Sequence, residues 1–98
     1  MHVGTLVLDL LLGDVRSLKQ KRSVVRPLVA ELKRLDVAVA ETGHLDLHRR
    51  AEVSAAVVAA DAAHCRRVLE AVERTAAAHP ELDLLSARLR VRSDSDDD

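Results

Sequence analysis

The stretch His2-Val3-Gly4-Thr5-Leu6-Val7-Leu8-Asp9-Leu10-Leu11-Leu12-Gly13-Asp14-Val15-Arg16-Ser17-Leu18-Lys19-Gln20-Lys21-Arg22 decides the fold. Its first half alternates. Gly4, Leu6, Leu8, Leu10 and Leu12 share one face of an extended chain, and Thr5, Val7, Asp9 and Leu11 share the other. One apolar face and one partly polar face belong to a sheet covered on one side only. Gly13-Asp14 signals a turn. Ser17-Leu18-Lys19-Gln20 matches a capping box, in which Ser17 at N-cap and Gln20 at N3 satisfy two orphan amides reciprocally.

Beyond this strand-to-helix unit, Leu18, Val25, Leu28, Leu32 and Leu35 recur at helical spacing. Pro27 sits inside that pattern, where its missing N–H and its ring disfavour a straight helix. The reading is one helix kinked near Ser23; the alternative is a helix split at Pro27. Residues 37–41 form a short strand, residues 42–50 a polar connection, and residues 51–60 a strand with Val53, Ala55, Val57 and Ala59 on one face. Asp61 is a good N-cap for a second helix, whose buried side carries Cys65, Val68, Leu69, Val72 and Ala76. His79-Pro80 ends it. In the last strand, residues 82–92, Leu85, Ala87, Leu89 and Val91 face in, and Ser86, Arg88, Arg90 and Arg92 face out. Strand, helix, strand, strand, helix, strand is the order of an α+β ferredoxin-like βαββαβ sandwich. Such a fold has a four-stranded antiparallel sheet with two helices on one face.

Ninety-eight residues make one domain, read here as residues 1–92. Residues 93–98, SDSDDD, have nothing apolar to bury and are expected to form an acidic, disordered tail. The chain has no Phe, Trp or Tyr, so its core is built from aliphatic side chains. Cys65 is the only cysteine, which excludes an intrachain disulfide and fits a reducing compartment. The N-terminal apolar run is too short for a membrane span. A cytoplasmic protein without membrane attachment is expected.

Net charge is −1, but it is unevenly spread. Between Arg16 and Arg34 there are seven cations and one acid, Glu31. Lys19, Lys21 and Arg22 crowd a helix start, where the macrodipole is already positive and a structural sequence would more naturally place Asp or Glu. Those cations, with Ser17 and the free amides of the first turn, are candidates for binding phosphate. Arg50 and His44 are supporting candidates. The alternative is a solvated face whose cations pair with Asp14 or Glu41.

Other constellations are weaker. His44 and His48 with Asp46 have the right ligand types for a metal, but the spacing aligns two imidazoles only on a helix, and the segment reads as a loop. Cys65 and His64 are adjacent on a helix and point apart. The outward row Arg88, Arg90, Arg92 lies where RNA-recognition motifs stack bases on aromatic residues, and this chain has none to offer. That face is open to pairing with another subunit; the alternative is that Arg88 simply pairs with Asp9 or Glu52 across the sheet. No metal, cofactor or catalytic residue is expected. The apolar residues of the open face, Val7, Leu11, Ala56 and Val58, would suit a homodimer.

The elements Ser17-Leu18-Lys19-Gln20-Lys21-Arg22, Val39-Ala40-Glu41 and His44-x-Asp46-Leu47-x-x-Arg50-Ala51 resemble the bacterial YlxP-like family, also called DUF503. The resemblance covers about residues 1–92 and implies a ferredoxin-like fold. The family's second element looks like Glu-Val-Asp-His-Gln-Asp-Leu-Trp-Gln-Arg-Ala. Here Gly43 stands in place of its Asp, Leu45 of its first Gln and His48 of its Trp. The resemblance carries no established activity. The family's genes often lie beside those for translation initiation factor 2 and ribosome-binding factor A, which implies a role in ribosome assembly or translation. The function expected is a non-enzymatic factor that binds RNA or a ribosomal particle through Lys19, Lys21 and Arg22. The alternative is a protein–protein module that docks through its sheet face.

Overall fold

The alternating run becomes β1, His2–Leu12, and its leucines are the centre of the molecule. Leu6, Leu8, Leu10 and Leu12 are each 1% exposed or less. Each buried leucine contributes roughly 1.5–3 kcal/mol. In this computed structural model residues 1–94 are described. The elements that follow are α1 (Leu18–Lys33), β2 (Ala38–Gly43), β3 (Arg50–Ala59), α2 (Ala62–Ala77) and β4 (Leu82–Ser93). The strands form one antiparallel sheet in the order β2-β3-β1-β4. Both helices pack on the face carrying the β1 leucines, Val39, Ala51, Val53 and Ala55. The other face is open. This is the α+β ferredoxin-like arrangement.

Helix α1 is continuous through Pro27, so the chain is not split there. Pro27 is exposed, and its ring faces away from the core. Ser17 is the N-cap, and its hydroxyl accepts from the Gln20 amide at 3.1 Å. The reciprocal half of the box is shifted by one residue: Gln20 Oε1 accepts from the Arg16 amide at 2.7 Å. Asp61 caps α2 as expected, accepting from the His64 amide at 2.7 Å.

Three strands and one phase differ from the sequence reading. β2 begins one residue later and runs through Thr42 and Gly43, because Gly43 pairs with Glu52 across an irregular register. β3 starts at Arg50 rather than Ala51, since Arg50 still pairs with Leu11. β4 continues through Ser93, which pairs with His2, and the Asp94 amide donates to Met1 O at 2.8 Å. The expected tail therefore gives up Ser93 to the sheet, and residues 95–98 lie outside the described residues. The fourth difference is a phase change. Asp9 pairs with Ser86 but Leu10 pairs with Leu84, so Leu85 is the extra residue of a β-bulge. Leu84, not Leu85, turns toward the core, and Leu85 is left 48% exposed.

Candidate functional site

The buried stripe of α1 consists of Lys21, Val24, Val25, Leu28 and Leu32. A lysine thus occupies a core position, one turn before Val25. Lys21 is only 3% exposed. Its stem lies along the apolar face, and its Nζ reaches Glu41 Oε2 on β2 at 2.9 Å and the His44 carbonyl at 2.7 Å. An ammonium taken out of water needs a charged partner and further acceptors, and these two oxygens supply them. Lys21 is therefore not a surface phosphate ligand. It fastens α1 to the end of β2 from inside.

His44 holds the other side of that contact. Its backbone is left-handed at φ 55°, a region costly for a residue with a Cβ. Its carbonyl takes the Lys21 ammonium and the Leu47 amide, and its imidazole Nε2 lies 3.5 Å from Asp9 Oδ1. Asp9 is shared: Arg50 Nη2 donates to Asp9 Oδ2 at 2.6 Å and Arg50 Nε to Oδ1 at 3.3 Å. That two-pronged bond, more than the nearby charges of Arg50 and His44, holds the Asp9 carboxyl below its ordinary range, against a smaller opposing effect of burial. The same bond raises the Arg50 pKa. Arg49, which the sequence did not single out, closes the loop from outside. Its Nε donates to the carbonyls of Gly13 (2.8 Å) and Leu12 (3.2 Å).

Beside Asp9 on the open face, Glu52 accepts from the Thr42 hydroxyl at 2.7 Å. Thr42 in turn accepts from Ser54 Oγ at 2.7 Å, its own proton being given to Glu52. Asp9 and Glu52 are thus both engaged. Arg88, expected to pair with one of them, faces Val7 across β1 instead and reaches neither.

The structure therefore takes Lys21, His44 and Arg50 out of the expected anion site, because each is already bound within the molecule. Arg16 also pairs internally, with Asp14 at 3.2 Å, though both side chains are more than 80% exposed and such a pair is worth little. Ser17 is occupied as the helix cap. Lys19 and Arg22 remain. Both are exposed, and so are Arg26 and Lys33 further along α1. Among the described residues none of these four has a carboxylate within 4.0 Å.

Their spacing is the feature that the sequence reading passed over. At about 100° per residue, positions 19, 22, 26 and 33 fall within an arc of about 60° on the helix surface. They form a line about 21 Å long at ~1.5 Å per residue. Glu31, the sole acid of α1, lies at least a third of a turn away. The line borders a groove of about 360 Å³ between α1 and β2, lined by Val25, Arg26, Val29, Ala30, Lys33 and Glu41. Helix α2 differs: Glu70 and Glu73 stand among its exposed cations Arg66, Arg67 and Arg74. Positive charge with no carboxylate partner among the described residues runs the length of one helix, and it is suited to contacting a row of anions.

Among the described residues no group of three or more His, Cys, Asp or Glu side chains converges to hold a metal ion. No helix of the described residues is long and apolar enough to cross a membrane.

A small ferredoxin-like α+β domain with a cationic helix flank is the class that fold and surface define. Residues 3–89 match the family model described as Protein of unknown function (DUF503), and the chain belongs to that family. No curated protein matches it.

Proposed function

We propose that this protein is a non-enzymatic, cytoplasmic factor that binds RNA or a ribonucleoprotein surface, such as a ribosomal particle, through the flank of α1. The observation that carries the reading is the aligned set Lys19, Arg22, Arg26 and Lys33, which has no carboxylate partner among the described residues. Phosphate binding gains free energy from releasing counterions, and four exposed cations in one line can each neutralise a phosphate. The gene neighbourhood implied by the family resemblance agrees with a ribosomal partner. The reducing cytoplasm accords with the single, buried thiol of Cys65.

Sedimentation of ribosomal particles from cells expressing the protein tests this reading. The protein is expected to travel with a particle at low ionic strength and to leave it as salt rises. Absence from every particle at low salt, or co-sedimentation unchanged in a variant with Arg22→Glu and Arg26→Glu, would refute it.

A second reading is a protein–protein contact through the open sheet face, including a homodimer. It is favoured by an uncovered apolar hollow of about 470 Å³ bounded by Thr5, Val7, Ala38, Ala40, Thr42, Ser54 and Ala56. Analytical ultracentrifugation of the purified chain distinguishes a dimer from a monomer directly.

A further inference from the structure

We infer that the α1 flank grips double-helical nucleic acid by its backbone and discriminates against single strands. This deepens, and rests on, the RNA-binding reading above. Three observations carry it.

First, recognition of single strands depends on stacking unpaired bases against flat side chains. The chain has no Phe, Tyr or Trp at all. No histidine lies between Leu18 and Lys33, and His44, whose carbonyl meets Lys21, is turned toward Asp9. The cationic line thus has charge but no stacking platform, apart from the guanidinium planes of Arg22 and Arg26.

Second, the line is carried by one unbroken, well-anchored helix. Helix α1 runs unbroken through Pro27, and its other side is anchored by Leu28 and Leu32, both fully buried, and by the internal Lys21–Glu41 pair. A rigid row of cations about 21 Å long fits phosphates held at fixed positions, as in a duplex, without ordering the partner first. A flexible strand would lose conformational entropy to match the row and could recover it by stacking only on the guanidinium planes of Arg22 and Arg26.

Third, of the two helices only α1 carries the pattern. The pseudo-symmetric α2 mixes signs on its exposed side, so the charge is not a general feature of how this fold covers its helices. A-form duplexes are recognised largely by shape and through phosphate and sugar contacts, which needs no base-reading side chain. Duplex DNA shares the phosphate chemistry and is the other source of such a backbone.

The test is fluorescence anisotropy of the full chain with three probes of about 20 nucleotides or base pairs: duplex RNA, duplex DNA and an unstructured single-stranded RNA. Duplex RNA is expected to bind at least about tenfold more tightly than the single strand. With about four phosphates neutralised, its log K should fall with log salt at a slope near −3.6, or about 150-fold between 50 and 200 mM. In the doubly substituted Arg22→Glu, Arg26→Glu chain, the duplex slope should shrink by about two. Circular dichroism checks that this variant is folded. Duplex DNA binding at the strength of duplex RNA supports contact with the shared backbone, and preference for RNA supports contact with its A-form sugar edge. Equal affinity for single strand and duplex, with both weakened by the double substitution, overturns the duplex inference and leaves the RNA-binding reading standing. Binding by no probe that responds to the substitution overturns both.

Discussion

Lys21 Nζ and Glu41 Oε2 lie 2.9 Å apart at the seam between helix α1 and the edge strand β2, with the lysine almost wholly removed from solvent. The pair divides the cations of α1 into two sets. Lys21 turns inward and is structural. Lys19, Arg22, Arg26 and Lys33 turn outward and have no carboxylate partner among the described residues. Charge reversal on the outward set should therefore change binding and leave folding nearly untouched.

The inward set should show the opposite. Lys21→Ala leaves the Glu41 carboxylate and the His44 carbonyl without their ammonium. Breaking a buried pair commonly costs about 3–5 kcal/mol; Glu41 is a quarter exposed and keeps some water, so about 2–4 kcal/mol is expected here. Lys21→Met with Glu41→Gln keeps the volume on the stripe and leaves no charge behind, so it should recover most of that loss. Urea unfolding of the two single variants and the double variant measures the coupling.

Asp9 gives the fold a defined acid sensitivity. Its carboxyl is depressed below the ordinary value by the Arg50 hydrogen bond. The unfolded chain therefore binds a proton at higher pH than the folded chain does. The stabilisation is present above the unfolded value of roughly 3.9 and is lost as pH falls through the lower folded value. Asp9→Asn should accordingly flatten the fall in thermal midpoint below about pH 4, while leaving the neutral-pH profile parallel to the parent. An unchanged acid limb would show that Asp9 and Arg50 are not coupled in solution.

Gly4 is required by packing rather than by backbone freedom. A Cβ there would sit 2.8 Å from Leu69 Cδ1, 3.2 Å from Cys65 Cβ and 3.3 Å from Val57 Cγ1. Strand β1 and helix α2 meet at that point. Gly4→Ala should destabilise the protein by about 1–3 kcal/mol through overpacking. Shortening Leu69 to Ala in the same chain should make the substitution less damaging than in the parent, which chemical denaturation will register.

The order of elements, the two helix caps and the inward leucines of β1 were legible because each rests on local chemistry: period-2 alternation, Ser17 and Asp61 at N-caps, and Pro80 after a helix. The bulge at Leu85 was not, since no Gly or Pro marks it and Leu84 and Leu85 are equally apolar. The site was half legible. Cation density at α1 was plain, but its sorting was not. Glu41 is one of the carboxylates the sequence offers these cations, but that Lys21 is the one to take it follows from its place in the apolar series Lys21, Val25, Leu28, Leu32, which the sequence reading did not use. Arg50 and His44 looked available because Asp9, which occupies both, is distant in sequence. The outward set follows from spacing, as positions 19, 22, 26 and 33 share one helical face, but the sequence reading stopped at Arg22 and included the inward Lys21.

Residue-by-residue mapping of a bound duplex tests the central claim most directly. In a ¹H–¹⁵N titration of the labelled protein with a short RNA duplex at low salt, the largest shifts are expected along Lys19, Arg22, Arg26 and Lys33, and on Val29 and Ala30 beside them. Amides of Arg88, Arg90 and Arg92 on the open face should stay in place. Shifts confined to that open face, or none along α1 while the RNA binds, would contradict the account.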